Sequence, residues 1–128
     1  MSGQDFLQFK NWAVCGDVLN ENKYAYKITK KLEEHGYNVF KVNPRTKKEE
    51  VYTSFDDITE KVDAIDLCIH PKIGINLVKE AKELNINKIL IQPGAESEEI
   101  LNFCQENDIM ALEGCVLVEL SKKFPKDV

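Results

Sequence analysis

Short apolar runs alternate with segments of helical periodicity along the whole chain, and this order restricts the fold more than any other feature. The apolar runs are residues 11–15, 38–42, 65–69, 88–91 and 109–112. Between the first two, Ala25, Ile28 and Leu32 recur at the i, i+3 and i+7 positions of one helix face. Such alternation is typical of stacked βα units. We therefore predict an α/β fold, a Rossmann-like three-layer sandwich with a mainly parallel sheet of roughly five strands.

The periodic segments predict helices at residues 22–35, 73–84, from Ser97 onward and 116–122. Residues 51–53 predict a short edge strand, and Ser54 or Asp56 predicts the start of a short helix that ends near Lys61. The middle strands are continuously apolar, which indicates a sheet that is buried on both faces.

Length and composition indicate a single domain over residues 1–128. The chain is 43% hydrophobic and 30% charged, as in ordinary globular proteins. Its net charge of −5 disfavours a general nucleic-acid partner. We expect no membrane partner, because no apolar run approaches the roughly 20 residues of a membrane helix. No signal peptide is visible, so we expect a cytoplasmic location.

The cysteines predict neither a metal site nor a disulfide framework. Cys15, Cys68, Cys104 and Cys115 form no Cys-x-x-Cys pair, and none lies near a histidine at zinc-like spacing. We expect all four to be reduced. A redox role for Cys115 stays open as the less favoured alternative.

The carboxyl ends of parallel strands meet at one edge of the sheet, where ligands bind at the point of strand-order reversal. Five loops should reach that edge, at residues 16–23, 43–45, 70–72, 92–95 and 113–115. These loops hold the candidate site residues.

The first loop has the features of an anion site. Gly16 permits a tight turn, the following helix presents free N–H groups, and Asn20 and Lys23 add a donor and a charge. The second and third glycines of the dinucleotide fingerprint are missing. An ordinary turn, with Asn20 or Asn22 as helix cap, explains the loop equally well.

The second loop, Asn43-Pro44-Arg45, favours a phosphorylated ribose. NAD-binding domains carry an acidic residue here for the ribose hydroxyl, whereas Arg45 offers a charged fork suited to phosphate. NADP and coenzyme A (CoA) both fit, and a solvated surface arginine is the structural alternative. Lys47 and Lys48 add local positive charge.

The remaining loops give weaker signals. His70 precedes Pro71 at the end of a strand, but with no visible nucleophile or acid partner a structural or ligand-lining role is favoured over catalysis. Gln92-Pro93-Gly94 suits either a close approach to a ligand or a simple turn. No complete catalytic constellation is visible, so we expect no chemistry from this chain alone.

In combination the loops are more specific. The segments that carry a resemblance are Ala13-Val14-Cys15-Gly16 with Asn20 and Lys23-Tyr24, Gly36-Tyr37-Asn38-Val39 running into Val42-Asn43-Pro44-Arg45, then Tyr52, Asp66, Gln92-Pro93-Gly94-Ala95 and Glu113-Gly114-Cys115. In these segments, which span nearly the whole chain, it resembles the small CoA-binding domain proteins. These are single-domain relatives of the CoA-binding N-terminal domain of the succinyl-CoA synthetase α subunit.

The resemblance implies a CoA or acyl-CoA site at the sheet edge. The diphosphate would lie nearest Gly16, Val18, Asn20 and Lys23. Apart from the resemblance, Tyr24 and Tyr26 are candidates to flank an adenine or pantetheine group, with packing at the helix start as the more common role of such aromatics. Arg45, after Asn43-Pro44, would meet the ribose phosphate or adenine end, and His70-Pro71 with Gln92-Pro93-Gly94 would border the pantetheine arm.

Asp17 departs from the small residues that such relatives often carry in the first loop. If the Asp17 side chain faces the ligand, its negative charge lowers the affinity. If the side chain caps the helix or faces away, the affinity is unaffected. The synthetase's phosphorylated histidine belongs to a domain that is absent here, and His70 does not inherit that role.

Three functions follow as hypotheses. The leading one is a non-catalytic CoA-binding carrier, sensor or subunit-like module. The second is an NADP-binding oxidoreductase or regulatory domain, and the third is a protein-interaction domain whose pocket no longer works, for which Asp17 is the best support. A homodimer or an unidentified protein partner is compatible with each.

Overall fold

A single parallel sheet organises the protein. The computed structural model describes residues 1–125, and within them five strands lie in the order β2-β1-β3-β4-β5, with every neighbouring pair parallel. The strands are β1 Asn11–Gly16, β2 Asn38–Val42, β3 Ala64–Cys68, β4 Lys88–Ile91 and β5 Met110–Glu113. The predicted Rossmann-like α/β fold is confirmed.

Helices cover both faces of the sheet. They are α1 Gly3–Phe6, α2 Tyr24–Glu34, α3 Pro71–Glu83, α4 Glu98–Glu106 and α5 Val116–Lys123. Helices α1, α2 and α5 bury apolar side chains against the face that carries Trp12 and Val14. Helices α3 and α4 pack on the opposite face, with Ala13 and Cys15. Since successive strand residues point to opposite faces, the central strands bury side chains on both faces of the sheet.

The helices at the carboxyl edge begin in two ways. Helix α3 begins with Pro71 after a side-chain cap from His70, and Ser97 caps α4. The residue before α2, Lys23, makes no side-chain capping hydrogen bond within the described residues. Helix α2 begins two residues later than predicted, because Asn20 accepts hydrogen bonds from the backbone N–H groups of Asn22 and Lys23 and turns the chain there.

The crossover from β2 to β3, residues 43–63, differs most from its prediction. The predicted edge strand is reduced to isolated bridges, one parallel between Val42 and Tyr52 and one antiparallel between Lys48 and Val51. The predicted short helix is a three-residue 3₁₀ turn, Phe55–Asp57. Ser54 caps that turn through its hydroxyl and thereby ends the extended segment after very few residues.

Helix α1 was not predicted, since its four residues contain a single buried apolar side chain, Phe6, and no helical repeat. A capping box between Ser2 and Asp5 stabilises its start.

Candidate functional site

The strand order reverses between β1 and β3, and their carboxyl ends form the base of the candidate site. Gly16 pairs with Cys68 in the parallel register. Gly16 has φ +153°, and a Cβ atom there would lie 2.2 Å from the carbonyl oxygen of Cys68. The requirement for glycine therefore comes from the close approach of β3 as well as from the turn toward α2.

A polar cavity of about 350 Å³ opens beside this junction and is lined by Asp17, Asn43, Arg45, Thr46 and Ile69. The buried amide oxygen Oδ1 of Asn43 accepts from the backbone N–H of Arg45 at 3.0 Å. Among residues 1–125 no side chain bonds or pairs with the exposed Arg45 guanidinium. The cavity thus presents a permanent cation that is held by its backbone and available to an anion.

The first loop contributes backbone rather than side chains. The Val18 side chain is buried in the core, and its N–H donates to the Gly16 carbonyl at 2.9 Å. As in any α-helix, the first N–H groups of α2 lack intrahelical partners. The Lys23 side chain does not cap them, so they favour an anion. Tyr24 at the start of α2 is 64% exposed.

Asp17 lies in the wall of the polar cavity, together with Arg45. Its carboxylate Oδ2 is 3.5 Å from the amide nitrogen of Asn20, a weak hydrogen bond within the loop. Helix α2 begins after Lys23, so Asp17 does not cap it. The geometry therefore excludes the helix-cap alternative for Asp17 and places its negative charge in the wall of the cavity.

A second, smaller cavity of about 200 Å³ continues the groove over β3 and β4. Its lining is Cys68, Ile69, His70, Pro93, Gly94 and Ala95. Ile69 belongs to both linings, so the two cavities adjoin. We call them the polar end and the apolar end of one groove.

His70 has a structural task at the apolar end. Its Nδ1 accepts from the backbone N–H of Lys72 at 3.1 Å, which caps α3 ahead of Pro71. With Nδ1 as the acceptor, the neutral ring has its N–H at Nε2. The geometry corresponds to a helix cap that also borders the groove.

Gln92 is likewise committed to the fold. It is buried, and its Oε1 accepts from the Val116 N–H at 2.7 Å, which fixes the start of α5 to the sheet. Gly94 has φ +92° with open space where a Cβ would be, and its N–H donates to the Glu96 carboxylate at 2.7 Å. Pro93 and Gly94 therefore offer an open backbone surface.

The structure brings the predicted residues together in two groups: Asp17, Asn43 and Arg45 at the polar end, and His70, Pro93 and Gly94 at the apolar end. The other candidates lie outside both linings: Gly16, Val18, Asn20, Lys23, Tyr24, Pro44, Pro71 and Gln92. Sequence reasoning missed Thr46, Cys68, Ile69 and Ala95 as site residues. The available signal was position, because Cys68 and Ile69 end a predicted strand, Thr46 follows the second loop and Ala95 ends the fourth.

A buried carboxyl lies in the sheet close to this edge. Asp66 on β3 is fully buried, and neither of its oxygens has a hydrogen-bond partner among residues 1–125. Desolvation raises its pKa well above the ordinary value of 3.8. Burial also raises the pKa of the Cys68 thiol to about 12, with smaller contributions from Asp66 and Cys115.

Among residues 1–125, no group of three or more His, Cys, Asp or Glu side chains is arranged to hold a metal ion. None of the helices in that part of the chain is long and apolar enough to cross a membrane.

Solved structures share this fold. A conserved hypothetical protein from Pyrococcus furiosus matches with a TM-score of 0.79 and 36% identity, over 87% of this chain and 99% of that one. A hypothetical protein from Pyrococcus horikoshii matches with a TM-score of 0.85 and 24% identity, over 95% and 92% of the two chains. A protein from Thermus thermophilus gives 0.83 and 24%, over 95% and 98%.

Among proteins with curated descriptions, none matches the chain. A family model described as "CoA binding domain" matches residues 10–121, which include all five strands and every residue of the groove. On that match, the chain belongs to the CoA binding domain family.

Proposed function

We propose that this chain binds CoA or an acyl-CoA in the groove at the carboxyl edge of its sheet, as a non-catalytic carrier, sensor or subunit-like module. The observation that carries the proposal is the Arg45 guanidinium in the wall of the 350 Å³ cavity, which has no side-chain partner within residues 1–125. Arg45 provides a bidentate partner for the ribose phosphate.

The free N–H groups at the start of α2 supply a second anion position for the diphosphate. The two positions follow neighbouring strands, Arg45 after β2 and the start of α2 after β1. A ligand with two separated phosphate groups matches that arrangement, and CoA is such a ligand.

The apolar end suits the pantetheine arm. Its lining is mostly uncharged, with Cys68, Ile69, Pro93 and Ala95 beside the His70 ring. An arm of methylene and amide groups can bury apolar surface there.

The non-catalytic part of the proposal rests on how His70 is used. Its Nδ1 is committed to the cap of α3. An activated nucleophile requires a base within hydrogen-bond reach, and His70 faces no such partner in the contacts of the described residues. The groove therefore supplies binding groups and leaves the reaction to another protein.

Calorimetric titration tests the proposal. CoA should bind to the wild type, and removing either the 3′-phosphate (dephospho-CoA) or the guanidinium (Arg45→Ala) should weaken binding about tenfold or more, since a charge-assisted hydrogen bond contributes about 1.5–3 kcal/mol. The affinity of Arg45→Ala for dephospho-CoA should be little lower than the affinity measured after either change alone, because both changes remove the same contact.

Lys47→Ala is the matched control, because it removes a nearby exposed cation that does not line the cavity. Equal losses from Arg45→Ala and Lys47→Ala would indicate a general charge effect. If CoA gives no heat and NADPH does, the result would favour the hypothesis of an NADP-binding oxidoreductase or regulatory domain.

A further inference from the structure

A second groove lies at the opposite edge of the sheet, where the strands begin. A cavity of about 360 Å³ is lined by the end of the crossover and by residues 84–86, ahead of β4. A cavity of about 160 Å³ is lined mainly by residues 85–87 and 107–109, ahead of β4 and β5. Asn85 and Ile86 belong to both linings, so the two cavities adjoin. We call them together the amino-edge groove.

The floor of the amino-edge groove is apolar. Phe55, Val62 and Ile86 are buried in the core beneath it, and Ile58 packs against that core. Leu84, which also lines the larger cavity, is 39% exposed and is one of the few large apolar side chains that the described residues leave open to solvent. A second protein that covered this leucine would gain the free energy of apolar burial.

The amino-edge groove has the width of a single chain segment. It passes the beginnings of three neighbouring strands, β3, β4 and β5. Neighbouring strands lie about 4.8 Å apart, so the groove extends over about 10 Å. An α-helix with its side chains has about the same diameter. The groove therefore matches one helix or one extended segment of another chain.

Acidic side chains surround the larger cavity without cationic partners. Asp56 and Glu60 line it. Glu80 interacts electrostatically with three acidic neighbours, namely Asp56, Asp57 and Glu83. Within residues 1–125, none of these five carboxylates forms an ion pair. Helix α3 ends beside the same cavity, and its C-terminal carbonyl groups add partial negative charge.

Two lysines also line the groove, and they do not neutralise this acidic side. Lys61 is exposed and forms no ion pair in the part of the chain that the structure describes. Lys82 lines the smaller cavity, where its Nζ donates to the carbonyl oxygen of Asn107 at 3.3 Å. The carboxylates do not converge on one point, since no group of three or more in residues 1–125 could hold a metal ion. Negative charge spread along an apolar groove is complementary to several cations on one segment.

We propose that the amino-edge groove is the docking site for a segment of a partner protein that combines large apolar side chains with lysine or arginine. Its apolar side chains cover Leu84 and the apolar floor, and its cations pair with the carboxylates of Asp56 and Glu60. The proposed CoA groove lies at the other edge of the sheet, so one chain can hold the partner and CoA together. Docking itself does not require CoA.

Selection from a random peptide library displayed on phage tests the proposal, with the wild type as target and Asp56→Lys/Glu60→Lys as the counter-target. We expect the enriched peptides to combine large apolar residues with lysine or arginine. A synthetic copy of an enriched peptide should shift the backbone amide resonances of residues 55–62 and 84–87 in NMR spectra. In calorimetry it should bind the double variant about tenfold or more weakly, because like charges then face each other.

Glu49→Lys/Glu50→Lys is the matched control, because it reverses two exposed charges on the same crossover that line neither cavity. Peptide affinity should change by less than about threefold in this control, as for exposed charges without direct contact. Leu84→Ala should weaken binding severalfold. Val118→Ala, which shortens a 49% exposed side chain outside the groove, should leave it unchanged. Thermal unfolding checks the fold of each variant.

Any of four results would overturn the proposal: enriched peptides without cations, equal losses in the two double variants, amide shifts confined to the carboxyl edge, or displacement of the peptide by excess CoA. The same amide shifts on concentrating the protein alone would assign the groove to a second copy of this chain and would also overturn it. Failure of CoA to bind, with the peptide still docked at residues 55–62 and 84–87, would overturn the proposed function and leave the docking site intact.

Discussion

The two ends of the groove are built differently. At the polar end, Arg45 and Thr46 extend from the irregular crossover, and the exposed guanidinium takes no part in the packing. At the apolar end, Cys68 ends a central strand and His70 caps a helix. The difference separates two properties: side chains at the polar end should determine affinity for an anion, whereas changes at the apolar end and its junction should change the stability of the fold.

The largest effect is expected at the junction of the two ends. Gly16→Ala places a methyl group 2.2 Å from the Cys68 carbonyl oxygen at a φ that disfavours side chains. Backbone must shift, so we expect the free energy of unfolding to fall by about 3 kcal/mol or more. Chemical denaturation measures it. Gly94→Ala, at φ +92° but in open space, is the control, and an equal loss in both variants would show that φ alone is responsible.

The next effect depends on pH. The folded protein retains the Asp66 proton at pH values where the unfolded chain releases it, because burial raises the pKa. The free energy of unfolding should therefore be highest below the ordinary pKa and decrease by about 1.4 kcal/mol per pH unit as pH rises toward the folded pKa. Asp66→Asn should flatten this dependence and stabilise the protein at neutral pH.

Denaturant titrations of Asp66→Asn and the wild type at several pH values measure the difference between them. Asp63→Asn, on the partly exposed residue before β3, controls for a general change of charge. Parallel pH profiles for the wild type and Asp66→Asn would refute the assignment.

A smaller loss is expected from the α3 cap. His70→Ala removes the acceptor for the Lys72 N–H, and the loss of a cap costs about 1 kcal/mol. His70→Asn, which can accept the same bond, should recover most of it in thermal unfolding. CoA affinity should change little if His70 only borders the groove. A large loss of affinity would contradict the assignment of affinity to the polar end and of stability to the apolar end.

The smallest effect should appear in affinity alone. Asp17→Asn removes a negative charge from the polar cavity while retaining a group that can bond to Asn20. We expect CoA binding to tighten by less than about 1 kcal/mol, with the gain decreasing as salt increases. Calorimetry at two ionic strengths measures it, and unchanged thermal stability is the matching control. Weaker binding would mean that Asp17 organises the loop.

The sequence predicted the layers because their causes are local and repeated. Apolar runs predicted the five strands to within one residue, and helical spacing predicted the end of α2 to within one residue. Helical spacing also predicted α5 to within one residue.

What could not be predicted depends on contacts between distant residues. The role of Gln92 arises from a hydrogen bond to Val116, 24 residues away. The need for glycine at position 16 arises from Cys68 on another strand. The sequence favoured a structural or ligand-lining role for His70 over catalysis, and the start of α3 in the structure shows that this histidine is a helix cap.

The crossover 43–63 connects β2 to β3 without an α-helix and is tied to β2 through the Tyr52 backbone, which donates to Lys41 and accepts from Asn43, both at 2.8 Å. Segments with so few backbone bonds open at a lower free energy than central strands, and their amide hydrogens exchange through that local opening. Arg45 is carried by this segment. An anion held by Arg45 would slow amide exchange in the crossover far more than in β1 or β3, so the segment most easily opened is also the one that reports occupancy.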